Sequence, residues 1–148
     1  MEDSLKLKGD VFITVKDKDG NVKEERHEEN LVVSAGLNFI CDRMEGTSES
    51  VMSHMGLGSG TTAAAAGDTD LGSILGSREA LDSTTVSSNT ITYVSSFEAG
   101  DATGAVTEAG IFNASTGGTM LCRVVFAAIN KAADDTMSVT WVITLTAS

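Results

Sequence analysis

Residues 137–146 read MSVTWVITLT. Met137, Val139, Trp141, Ile143 and Leu145 recur at every second position, and Ser138, Thr140, Thr144 and Thr146 fill most of the alternate ones. A period of two places the apolar set on the core face of an extended strand and the hydroxyls on the other face. Working back through the chain, residues 120–126 (MLCRVVF) are apolar on both faces, and residues 106–112 (VTEAGIF) form another strand, with Gly117-Gly118 as the turn between them. Ile91, Tyr93 and Phe97 alternate with Thr92 and Ser96 after a Ser88-Asn89 turn. Near the start, VFITV at 11–15 is followed by Asp19-Gly20, a two-residue hairpin signal that sets Lys18 opposite Asn21 and Val15 opposite Glu24. The return strand, 22–29, is almost wholly charged, which suits an exposed edge guarded against stray pairing.

Between these strands one helix is expected over about residues 34–45. Ser34 is placed to cap it, Leu37, Ile40, Cys41 and Met44 fall on one stripe, and Gly46 supplies the stop. Short strands at regular spacing with a single helix give a mainly β fold, a two-sheet antiparallel sandwich or jelly-roll relative. A chain of 148 residues supports one such domain without staples. We expect it to run over 10–148, after an arm of residues 1–9 in which Leu5 and Leu7 alternate with lysines, free to add a strand to a neighbour and removable without loss of the fold.

Composition narrows the function classes. A net charge of −11 repels phosphate backbones and argues against nucleic-acid binding. No apolar run reaches the length of a membrane span, and the first ten residues lack the apolar core of a signal peptide, so synthesis in a cytoplasm is expected. Cys41 and Cys122 are isolated and read as small buried hydrophobes. The stretch 51–81 is a long structured loop rich in Gly, Ala and Thr, and loops of this kind carry contacts that their scaffold cannot make. Its Gly56, Gly58 and Gly60 invite a phosphate-loop reading, but no Lys-Ser or Lys-Thr follows and Thr61 stands where a dinucleotide fingerprint has its third glycine. Asp68 and Asp70 are spaced like the start of a calcium loop that lacks its other ligands, so a turn or cap is the expected role of Asp68. His27 and His54 have no nucleophile motif beside them. No catalytic residue, cofactor or metal site is expected. If Asn113 pairs with Gly118, Ile111 faces Met120 and Glu108 falls opposite Arg123, a candidate structural ion pair.

Four blocks, NLVVSAGLNFI (30–40), GLGSGTTAAAAGDTDL (56–71), TEAGIF (107–112) and GGTMLCRVVF (117–126), resemble small virion structural proteins of tailed bacteriophages. Similar blocks occur in capsid cement (decoration) proteins and in tail-fibre-associated proteins. The resemblance implies assembly, not catalysis: a cement protein on the capsid exterior, at capsomer junctions, partnered by the major capsid protein. Self-association as a homotrimer is expected because it would match a three-fold junction. A tail-fibre or receptor-binding module is the alternative. Leu5, Leu7, Gly58, Thr61, Thr62, Asp68 and Asp70 are the candidate assembly contacts.

Overall fold

The structure, a computed structural model, describes residues 4–147. Ten strands and one helix follow in order: β1 (Leu5–Lys16), β2 (Val22–Glu29), β3 (Leu31–Val32), α1 (Ser34–Glu45), β4 (His54–Gly58), β5 (Glu79–Ala80), β6 (Ser83–Ser87), β7 (Thr90–Phe97), β8 (Gly104–Phe112), β9 (Met120–Lys131) and β10 (Thr136–Ala147). They form two antiparallel five-stranded sheets, ordered β2-β1-β10-β7-β6 and β3-β9-β8-β4-β5. The fold is therefore a mainly β, two-sheet sandwich with one short helix. Val11, Ile13, Val15, Tyr93, Phe97, Met137, Val139, Trp141 and Ile143 of the first sheet meet Met55, Leu57, Ala109, Ile111, Cys122, Val124 and Ile129 of the second in one core. The chain crosses from one sheet to the other at Asn30, whose amide bonds Gly9 O at 3.1 Å. A side chain at Gly9 would occupy the space that the Asn30 carboxamide fills.

Several expectations need correction. There is no separate arm from Leu5 on: β1 runs unbroken from Leu5 to Lys16, and its first half pairs with β10 from Leu5 opposite Ala147 to Gly9 opposite Ile143. Leu7 packs against the core, while Leu5 stays exposed. Residues 1–3 of the expected arm lie outside the described residues. The β1–β2 turn is longer than two residues, because Asp17 N bonds Asn21 O and the Asp17 carboxylate accepts from Asp19 and Asn21 amides. A register shift beside Lys16 absorbs the extra residue, so Val15 still faces Glu24. The expected central loop begins with β4, and β6 is a further strand not anticipated.

The helix spans 34–45 and ends at Gly46 in the left-handed region, as the residues suggest, but Val33, not Ser34, is its N-cap and no side chain caps it. Its buried residues are Gly36 and Phe39, whereas Leu37, Cys41 and Met44 of the expected stripe face solvent. Gly36 decides this: a Cβ there would collide with the main chain of Leu121 on β9, so the helix seats through its glycine. Of the two free cysteines only Cys122 is buried.

The charged edge strand β2 turns Glu24, Arg26 and Glu28 toward the sandwich, where Arg26 pairs with both glutamates and reaches Ala127 O on β9 at 3.2 Å. Lys23 pairs with the buried Asp135, in the turn between β9 and β10, at 2.6 Å.

Two outcomes follow for stability in urea. Phe39→Ala costs about 3 kcal/mol, while Leu37→Ala changes stability by no more than about 0.5 kcal/mol. Deleting residues 1–9 destabilises the fold, with Leu7→Ala alone accounting for about 1–2 kcal/mol; an unchanged midpoint after the deletion contradicts the β1–β10 pairing.

Candidate functional site

Glycine builds the outer face of the second sheet. Gly56 and Gly110 lie side by side on β4 and β8, and a Cβ on either would press on Leu71. Their absent side chains leave a shallow trough, and the segment from Ser59 to Gly72 lies across it as a third layer before Ser73, Ile74 and Leu75 pair along the edge of β4. Leu71 packs there with Phe112, Met120 and Val33, which explains why β8 and β9 are apolar on both faces.

The segment is fixed by charge. Glu108 is fully buried and Arg123 is 3% exposed. The guanidinium donates from Nε and Nη2 to Glu108 Oε1, at 3.1 and 3.0 Å. The carboxylate also accepts three main-chain amides of the segment: Gly72 on Oε1 at 2.7 Å, with Gly60 and Ser73 on Oε2 at 2.6 and 2.8 Å. Arg123 in turn donates from Nη1 to Asp68 at 2.8 Å and from Nη2 to Thr62 O at 3.1 Å. Thr107 Oγ1 donates to Gly60 O at 2.7 Å, and Asp68 accepts the Ala65 amide at 2.9 Å. Side chains at Gly58 or Gly60 would run into the Glu108 carboxylate, and one at Gly72 would crowd the main chain of Gly60. The glycine amides thus bind an anion, and the anion is the protein's own glutamate.

The register that brings Glu108 to Arg123 differs from the one counted on the sequence. Phe112 pairs with Met120, Ile111 with Cys122 and Glu108 with Val125, with irregularities between Val106 and Glu108 and between Ile111 and Phe112. Arg123 stands opposite Gly110, and its long side chain reaches Glu108 diagonally along the same face. Asn113 sets the turn by accepting the Thr119 amide on its side chain at 2.7 Å.

Of the expected contact residues, Gly58, Thr62 and Asp68 meet at this network, and Thr61 is exposed beside it. Asp70 belongs to a neighbouring cleft of about 440 Å³, where it lies 3.4 Å from Arg78. Arg78 stacks over the Phe112 ring at 3.5 Å and donates to Ala114 O and Gly117 O, so the cleft's cation is already engaged. Leu5 and Leu7 lie on the other sheet. Sequence reading missed Gly72, Ser73, Arg78 and Thr107. Gly60 was in view as part of a phosphate-loop pattern that the residues ruled out, but the internal carboxylate its amide binds was not.

Among the described residues, no group of three or more His, Cys, Asp or Glu is arranged to hold a metal ion. Ser53 Oγ lies 2.8 Å from His54 Nδ1, a contact between chain neighbours at the start of β4. No family model, curated protein or solved structure matches this chain.

Replacing Arg123 by Met strands Glu108 without its cation and costs about 3–5 kcal/mol. Removing both charges, as Glu108→Gln with Arg123→Met, costs less than the sum of the single changes; additive losses contradict the coupling. The Ala65 amide, and then the Arg123 guanidinium, hold the Asp68 carboxyl below its ordinary value. A depressed folded-state value means that its contribution is complete above the ordinary carboxylate range and is lost as pH falls through the folded value. Acid therefore loosens residues 61–68 first, read as protease cleavage or amide exchange there before the sheets open.

Proposed function

We propose that this protein is a non-enzymatic virion structural protein, a capsid cement that binds the outer surface of a phage shell at capsomer junctions. One observation supports the reading above others: the four blocks that resemble phage virion proteins meet in a single structural unit. Residues 30–40 give β3 and most of α1, and 56–71 give the end of β4 and most of the segment pinned over the sheet. Residues 107–112 carry Glu108, and 117–126 carry Arg123. The blocks also bond directly, Ser34 N to Ala66 O at 2.8 Å and Val33 N to Leu121 O at 3.2 Å. What the blocks share is a rigid covered face, not a reactive cleft.

A face fixed in advance suits attachment to a large, static partner such as the major capsid protein, because little ordering entropy is lost on binding. Modest contacts repeated over a shell sum through multivalency. Thr61 and the adjacent alanines, exposed on the pinned segment, are the part of this face most open to a partner.

Gold-labelled antibody on intact virions tests the assignment. Label over the head, with shells lacking the protein bursting at lower temperature and lower salt tolerance, is the expected result. Label confined to the tail overturns it in favour of a tail-fibre or receptor-binding module.

A further inference from the structure

The four sheet edges are not equally protected. β2 is charged at almost every position, and β3 and β5 are two residues long. β6, at the end of the first sheet, is five residues of Ser-Thr-Thr-Val-Ser, exposed throughout and without charge, proline or bulge. Such an edge is a template for another extended chain. We propose that β6 is a self-association surface, pairing antiparallel with β6 of a second copy across a two-fold axis at Thr85.

Register, apolar surface and charge each support a second copy as the occupant. In β6, Ser87 pairs with Thr90 across the Ser88-Asn89 turn, Thr85 with Thr92 and Ser83 with Val94. The residues that flank a two-residue turn form the hydrogen-bonded pair, and alternation then points the main-chain groups of Thr84 and Val86 outward. A two-fold centred on Thr85 sets Thr84 opposite Val86 of the other copy, so these outward groups satisfy one another in both directions.

Val86 shares the inner face of the sheet with Ile91 and is 68% exposed. Beside it opens a largely apolar groove of about 290 Å³ lined by Phe39, Val51, Met52, Thr84, Ile91 and Tyr93 together with Arg43, with Val51 60% exposed. The second copy's Val86 would come to lie over Thr84 at the mouth of this groove.

Charge favours the same pairing. Two chains of net charge −11 repel over most of their surfaces. Ser83, Thr85, Ser87, Thr90 and Thr92 continue an uncharged outer face inward from this edge, up to Ser96, which donates to the Asp82 carboxylate at 2.7 Å. The nearest carboxylate, Asp82, falls opposite Ser88 of the other copy, so the register sets no like charges against each other. A closed three-fold ring needs two different complementary patches, whereas this strip complements itself. The pairing does not depend on attachment to a capsid.

Sedimentation velocity of the full chain over a range of concentrations provides the test. A reversible dimer is expected, weakened about tenfold or more by Val86→Lys, with the melting temperature of the variant unchanged because the position is exposed. Antiparallel pairs of the type predicted at Thr85 bring Cα atoms within disulfide reach. In a Cys41→Ser background, Thr85→Cys therefore forms a disulfide-linked dimer under mild oxidation, faster than Thr140→Cys on the same outer face. A monomer at every concentration, a trimer indifferent to Val86→Lys, or equal linking at the two cysteine positions overturns the proposal.

Discussion

The buried pair of Glu108 and Arg123 is the constraint on which the outer layer depends. Removing two charges from water costs several kcal/mol each, and their mutual attraction offsets this only when every remaining valence is filled. Here three glycine-region amides, a threonine carbonyl and a second carboxylate complete the set. The sequence on either side is shaped by that requirement, since bare glycines are needed at 58 and 60, where a Cβ would fall on the carboxylate. Apolar residues of similar volume often serve stability as well as a buried pair does. What this pair adds is location: a long irregular segment has one place to lie, because only there do its amides meet an anion.

The two sheets consequently differ. The second is covered on both faces, by the core and by the pinned segment, and its middle strands carry apolar residues on both faces around Glu108 and Arg123. The first is covered on one face, and its outer surface keeps the hydroxyls of β7 and β10. This asymmetry made parts of the fold legible. Residues 137–145 alternate cleanly because one of their faces meets water, and the two-sheet class follows from such strands. In β8 and β9 no alternation survives to fix the register, and the shifts beside Glu108 and Phe112 are invisible to counting. The ion pair was still reachable from the sequence, since two charges in otherwise apolar strands need each other whichever register brings them together.

The helix was misread for a different reason. Leu37, Ile40, Cys41 and Met44 have the spacing of a buried stripe, but helix contact is decided by how closely the backbone can approach, and Gly36 carries no hydrophobic signal. The pinned segment posed the same problem. A glycine that makes room for a neighbour looks, in a sequence, like a glycine that makes room for a ligand.

The pairing of β1 with β10 also sets an order of events during synthesis. Residues 5–16 lie between β2 and β10, so the middle of the first sheet stays open until residues 136–147 have left the ribosome. The second sheet and its clamp, complete by residue 131, do not wait for them. Closing so long a loop late is entropically slow. During that interval the β1 edge that β10 will take is unpaired, with Val11, Ile13 and Val15 on its inner face, which makes it the part of the waiting chain most open to a neighbouring strand.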